Sequence, residues 1–296
     1  MSRLQEAFAA ARAEDRALLI GYMPAGFPTW VDAVAVVSAM VENGVDVVEI
    51  GLPYSDPLMD GPVIQAAADQ ALAHGTTVAD VLRTVEAIAA TGAPTLIMSY
   101  WNPIERYGVD RFAKELAAAG GAGVITPDII PEEADAWVSA TDDALIDRVF
   151  LVAPSSPQER IEQVAQISNG FVYAASTMGV TGTRTSVSVD ARALVARTRE
   201  VTSQPVCVGL GVSTPEQAAE VGRYADGVIV GSAFVRLVLD AESPSQAAAG
   251  VAELAAGMAA ALRTARRGGQ ARANGPRTSS GWCSASSWRA SWVSPD

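Results

Sequence analysis

Histidine and lysine are almost missing from this 296-residue chain: His74 is the one histidine and Lys114 the one lysine. Cysteine is nearly as scarce, with Cys207 inside an apolar run and Cys283 close to the C-terminus. Each shortage removes a mechanism. A catalytic zinc site draws on several imidazoles or thiolates, so one histidine leaves too few ligands, and no metal is expected. Lys114 lies in Asp110-Arg111-Phe112-Ala113-Lys114-Glu115-Leu116, whose period places it on the exposed face of an amphipathic helix and argues against a Schiff-base role. His74, in Ala73-His74-Gly75-Thr76-Thr77, reads as a surface cap meeting the last carbonyls of a helix. Two cysteines make no disulfide framework and fit a reducing compartment. No apolar run approaches the roughly 18 residues of a membrane span, and the polar N-terminus has no signal-peptide core, so a cytoplasmic location is expected. Positive charge is short too. A formal net charge of −12 disfavours nucleic acid and anionic membranes as partners. An anionic small molecule would have to be held by backbone amides and helix N-termini. Proton transfers, if the chain performs any, fall to carboxylates aided by Tyr or Thr hydroxyls.

What the chain does have is apolar sequence in a regular rhythm. Hydrophobic residues make up 49%, enough for a substantial core. Short β-rich runs recur at Leu18–Met23, Val45–Ile50, Thr95–Ser99, Gly123–Ile125, Arg148–Val152, Gly170–Ala174, Pro205–Val208 and Gly227–Val230. Helical periods fall between them, near 30–43, 62–73, 77–91, 109–119, 131–140, 157–168, 190–200, 214–222 and 246–264. Thr29, Ser156-Pro157, Thr214-Pro215 and the acids of Pro131-Glu132-Glu133 are start signals. Eight strand–helix alternations with continuous apolar strands predict an α/β fold, a (β/α)8 TIM barrel, with a doubly wound open sheet as the alternative. Residues 2–14 add an extra N-terminal helix, placed as a lid on the barrel's bottom. A single domain is expected over 1–264. Residues 265–296 differ: from about Arg266 the text is Arg/Gly/Ser/Trp-rich, with five Arg against one Asp, and has no period. It reads as a disordered or artefactual tail, with a basic-aromatic binding segment as the other reading.

Four constellations could carry chemistry at the C-terminal ends of such strands. Glu49 lies in the apolar run Val47-Val48-Glu49-Ile50, where a charge costs several kcal/mol unless compensated. It is either a structural acid satisfied by an amide or an Arg, or a catalytic one. Asp60 follows eleven residues later in a loop stiffened by Pro53, Pro57 and Pro62, so both carboxylates can face one mouth. Gly209-Leu210-Gly211-Val212-Ser213 and Gly231-Ser232-Ala233 follow the seventh and eighth runs, each opening onto a helix. Together they predict a phosphate cradle. Ser176 to Arg184 is small, polar and glycine-bearing, and reads as a mobile lid or an ordinary loop. Ser99-Tyr100-Trp101-Asn102-Pro103-Ile104 offers either exposed aromatics for a contact surface or rings packed on neighbouring helices.

At Glu49-Ile50-Gly51-Leu52-Pro53-Tyr54-Ser55-Asp56-Pro57 with Asp60-Gly61-Pro62, at Met178-Gly179-Val180-Thr181-Gly182, and at Gly209-Leu210-Gly211-Val212-Ser213, the chain resembles the tryptophan synthase alpha chain family. The resemblance runs from about residue 1 to 264. It implies a lyase of tryptophan biosynthesis that splits indole-3-glycerol phosphate into indole and glyceraldehyde 3-phosphate by a retro-aldol step without lysine or metal. Carried over residue by residue, Glu49 would shuttle the proton, with its pKa raised toward working pH. Asp60 would stay ionised and bond indole N1–H. Tyr22, Ile125 and Tyr173 would line the indole pocket, and Thr181 would close the lid over Asp60. The amides of Gly182, Gly211 and Ser232 would hold phosphate. Asp56, Tyr100, Trp101 and Asn102 would face a β chain in an α2β2 heterotetramer, with no cofactor in this chain and pyridoxal phosphate in the β partner. Tyr22 stands where other members have Phe, and Phe27 where some have Asp. A module acting mainly as an allosteric scaffold for the β chain, with weak activity of its own, is the alternative. Other phosphate-binding barrels lean on catalytic Lys or His sets that are lacking.

Overall fold

The computed structural model describes residues 1–175, 186–209 and 211–265. Its elements run α1 (Arg3–Ala13), β1 (Leu18–Pro24), α2 (Trp30–Glu42), β2 (Val47–Gly51), α3 (Pro62–Ala73), α4 (Val78–Ala89), β3 (Thr95–Met98), α5 (Trp101–Tyr107), α6 (Val109–Ala118), β4 (Gly123–Ile125) and α7 (Asp135–Ala144). They continue with β5 (Asp147–Val152), α8 (Gln158–Ile167), β6 (Val172–Ala175), α9 (Ser186–Val201), β7 (Val206–Gly209), α10 (Pro215–Gly222), β8 (Gly227–Val230), α11 (Ser232–Leu239) and α12 (Pro244–Thr264). The eight strands are parallel and close in order, β8 returning to pair with β1. The open-sheet alternative is thereby excluded.

Strand alternation divides the core into two shells. Leu18, Ile20, Val47, Leu96, Ile125, Val149, Phe171, Cys207 and Ile229 face the barrel axis. Leu19, Met23, Val48, Ile50, Ile97, Val124, Val172, Val208 and Val228 face outward and pack under the helices. The helices start where the side chains dictate: Thr29, Thr77, Thr214 and Ser243 each accept a backbone N–H three residues on. Pro157 takes the cap position of α8 instead of its first helical position.

One end of the barrel is stoppered. Leu4, Phe8 and Ala11 of α1 join the axial shell, and the Phe8 and Phe171 rings meet edge to face at 6.0 Å. Burying Leu4 and Phe8 stabilises this closure by about 1.5–3 kcal/mol each. Ser2 caps α1 and donates its hydroxyl to Asp147 at 2.5 Å, tying the stopper to the start of β5. The C-terminal ends of the strands form the other end.

Three expectations are corrected. Residues 131–140 are not one helix: Pro131–Glu133 form a short 3-10 turn and α7 begins at Asp135. Helix α5 follows β3 directly, and α11 precedes α12 where one helical period was read. Glu49 is the central residue of β2, not the penultimate one, because the strand begins at Val47 and continues to Gly51.

Candidate active site

Glu49 shares the face of Val47 on β2, which puts its side chain inside the barrel. It is 3% exposed, and its Oε2 has no hydrogen-bond partner among the described residues. Burial raises its pKa from the ordinary 4.5 to about 8, with the charge of Asp60 adding to the rise. Among the described residues neither an Arg nor a backbone amide compensates it, which leaves the structural reading of this acid without support there.

Asp60 sits half-buried in the loop after β2. Its anchor is Tyr100, just beyond β3. The Met59 N–H donates to the Tyr100 hydroxyl at 3.2 Å, and that hydroxyl also hydrogen-bonds the Asp60 side chain. Burial raises the pKa of Asp60 and the Tyr100 bond opposes that rise. The larger rise is that of Glu49, to about 8, part of it from the charge of Asp60. Of the two acids, Asp60 is therefore the first to ionise, so an ionised Asp60 stands beside a Glu49 that keeps its proton.

Of the two readings of the Ser99 to Ile104 segment, Tyr100 takes the packed one. The ring is 2% exposed, tilted against Tyr54 with centroids 5.6 Å apart. Trp101 is half-buried, its ring edge to face with Trp137, and its backbone N–H donates to the Asp128 carboxylate at 2.8 Å. Asn102 and Asp56 remain exposed at the rim, and Asn102 Nδ2–H donates to the Tyr54 hydroxyl at 2.9 Å. Tyr54 and Asp128 were not singled out from sequence, since nothing local marks a ring or acid for a loop–loop contact.

The three residues expected to line a pocket, Tyr22 on β1, Ile125 at the end of β4 and Tyr173 on β6, are all buried. Two glycines make room for the phenols. A Cβ at Gly51 would lie 2.3 Å from the Tyr22 hydroxyl, and one at Gly209 would lie 1.9 Å from the Tyr173 hydroxyl. Gly209, read as part of a phosphate turn, thus has a second role as clearance. Gly211 follows β7 with φ of +88°, a conformation suited to glycine, and Ser232 is the exposed first residue of α11. Both stand at the mouth end of the adjacent strands β7 and β8. Thr181 and Gly182, with the whole Ser176 to Arg184 segment, lie outside the described residues.

Away from the mouth, Lys114 is exposed on α6. His74 caps α3, with Nδ1 2.9 Å from the Pro28 carbonyl oxygen of another loop instead of its own helix's last carbonyls. Among the described residues no cluster of three metal-binding side chains occurs, and no helix is long and apolar enough to cross a membrane.

Residues 8–263 match the family described as tryptophan synthase alpha chain. The tryptophan synthase alpha chain of Thermobifida fusca is 60% identical over 270 residues, covering 90% of this chain and 100% of that one. That of Acidothermus cellulolyticus is 59% identical over 263 residues, covering 89% and 98%. Among solved structures, a chain of Mycobacterium tuberculosis tryptophan synthase in its aminoacrylate-bound form superposes with a TM-score of 0.81 at 47% identity, covering 88% of this chain and 100% of that one. The Legionella pneumophila tryptophan synthase subunit alpha gives 0.80 at 34%, covering 88% and 98%.

Proposed function

Since the chain belongs to the tryptophan synthase alpha chain family and is a lyase that cleaves indole-3-glycerol phosphate, we propose that Glu49 and Asp60 divide that chemistry between them. The supporting observation is the split of one acid pair, with buried Glu49 holding its proton to about 8 beside a half-buried Asp60 that ionises first. Neutral Glu49 protonates indole C3. The indoleninium so formed takes up the electron pair of the breaking C3–C3′ bond, and the resulting Glu49 carboxylate accepts the proton of the glycerol hydroxyl as the aldehyde forms. Asp60 accepts a hydrogen bond from indole N1–H and offsets the positive charge on the ring. Tyr22, Ile125 and Tyr173 enclose the indole.

The amides of Gly182, Gly211 and Ser232 hold the phosphate, helped by the positive end of α11. Thr181 closes over Asp60. This chain carries no cofactor of its own. It joins a β chain that holds pyridoxal phosphate, in an α2β2 assembly, through Asp56, Trp101 and Asn102, with Leu58 adding apolar surface at 77% exposure. Tyr100, assigned earlier to that contact, serves it from beneath, through Tyr54 and Asp60. The working domain is 1–264, the remainder is dispensable, and the enzyme is cytoplasmic. The scaffold reading is not favoured, because both acids are in place. The test is indole release from indole-3-glycerol phosphate by the chain, alone and with its β partner. Release by wild type and none by Glu49→Gln is expected, and no release by wild type under either condition overturns the reading.

A further inference from the structure

Gly51 lies two residues beyond Glu49 on β2, so its missing side chain would point to the same face as Glu49's. That empty position is occupied. A Cβ there would meet the Tyr22 hydroxyl at 2.3 Å and Cζ at 2.6 Å. The phenol therefore reaches across from β1, where Tyr22 pairs directly with Glu49, and stands next above Glu49 on its own strand, toward the Asp60 loop. Its neighbours leave an electrostatic mark: after burial, Asp60 and Glu49 are the largest influences on Tyr22.

Glu49 needs a donor. Among the described residues its buried Oε2 has no partner, and the reaction leaves the group charged once its proton has gone to C3. Among the described residues the titratable groups coupled to it are Asp60 after β2, Tyr22 on β1 and Tyr173 on β6, with Tyr100 after β3 coupled to Tyr22 and Cys207 on β7 to Tyr173. The axial positions of β3, β4, β5 and β8 hold Leu96, Ile125, Val149 and Ile229, which cannot donate. The Tyr100 hydroxyl is engaged by Met59 and Asp60, and the Tyr173 hydroxyl rests over Gly209 on β7.

We infer that Tyr22 is a positioning residue for Glu49: its hydroxyl, seated in the Gly51 gap, donates to the Glu49 carboxylate whenever that group is ionised. The inference rests on the reading of Glu49 as the proton carrier. It explains why a phenol here is more than a pocket wall, because the same ring without its oxygen would fill the well and leave the spent carboxylate unheld. The oxygen also fixes which way the carboxylate faces, toward the substrate and away from the apolar floor.

The test is Tyr22→Phe in the full chain, which removes one oxygen and is expected to leave the melting temperature unchanged. At pH 7, kcat should fall about tenfold with KM within about twofold, the loss of a single bond to a charged group. The Glu49 carboxyl is followed separately by infrared difference spectroscopy, its band assigned by its loss in Glu49→Gln. A donor to the charged form holds a pKa down, so in Tyr22→Phe this titration should move up by about half to one pH unit. An unchanged titration with kcat intact, or a change in KM alone, overturns the inference and makes Tyr22 a wall. If wild type releases no indole, the lyase assignment falls. The infrared titration still decides whether Tyr22 holds Glu49.

Discussion

Replacing Glu49 with Gln should destroy activity and, at neutral and alkaline pH, make the protein more stable. Glu49 is buried, its Oε2 lacks a partner among the described residues, and its pKa rises from 4.5 to about 8. Below 4.5 the folded and unfolded chains are both protonated, so the raised pKa costs nothing. Between 4.5 and about 8 the unfolded chain ionises and the fold does not, so stability falls by about 1.4 kcal/mol per pH unit. The cost reaches about 3 kcal/mol at pH 7 and levels off near about 5 kcal/mol above 8. Glutamine removes this dependence but buries an amide in an apolar well, which costs about 1–2 kcal/mol. The variant should therefore match wild type within about 1 kcal/mol at pH 5, exceed it by about 1–2 kcal/mol at pH 7, and by about 3 kcal/mol at pH 9. In a chain of this size each kcal/mol moves the melting temperature by roughly 2–4 °C. Thermal unfolding followed by circular dichroism at the three pH values measures it. An unchanged difference in Tm from pH 5 to pH 9 would show that Glu49 is not a buried, proton-retaining acid, and the mechanism would lose its basis.

Asp60→Asn should lower kcat by about 10²–10³-fold, since the ring charge goes uncompensated, while substrate still binds; steady-state kinetics decides it. Gly209→Ala drives a methyl into the Tyr173 hydroxyl, 1.9 Å away, and should cost about 1–3 kcal/mol in urea unfolding together with a raised KM. An equal cost in the Tyr173→Ala background would refute the contact. Leu145 is 90% exposed with φ of +56°, so Leu145→Gly should stabilise by about 0.5–1 kcal/mol, and a lower Tm would contradict the strain argument. Cutting after Ala265 keeps Leu262, which is buried on α12, and should leave Tm and indole release unchanged. A large drop in either assigns the last residues a part in the fold.

The barrel was legible because strands covered on both faces read as uninterrupted apolar runs, and the start signals at Thr29 and Thr214 act locally. Strand ends were less so. Val45 is as apolar as Val47, but its N–H bonds the Met40 carbonyl and so belongs to the turn. Helix α5 was missed because Pro103 reads as a breaker, although in a first turn its absent N–H has no intrahelical partner to lose. Glu49 was found because a charge in an apolar run is conspicuous wherever the strand ends. Whether Tyr100 is exposed or packed was not legible, because its burial comes with the Met59–Asp60 loop folding onto it, which is a tertiary event. The clearance at Gly51 and Gly209 was in principle readable, since each follows an inward Tyr on the preceding strand at matching depth.

The stopper helix also sets an order of assembly. It is synthesised first, yet the socket that receives Phe8 is complete only after Leu18 pairs with Gly227, from the far end of the chain. Until the ribosome has delivered β8, the stopper's apolar stripe has no finished seat, and premature collapse onto a half-built barrel competes with correct closure. The bond from the Ser2 hydroxyl to Asp147 makes the same helix depend on β5 as well, at residue 147 of the chain.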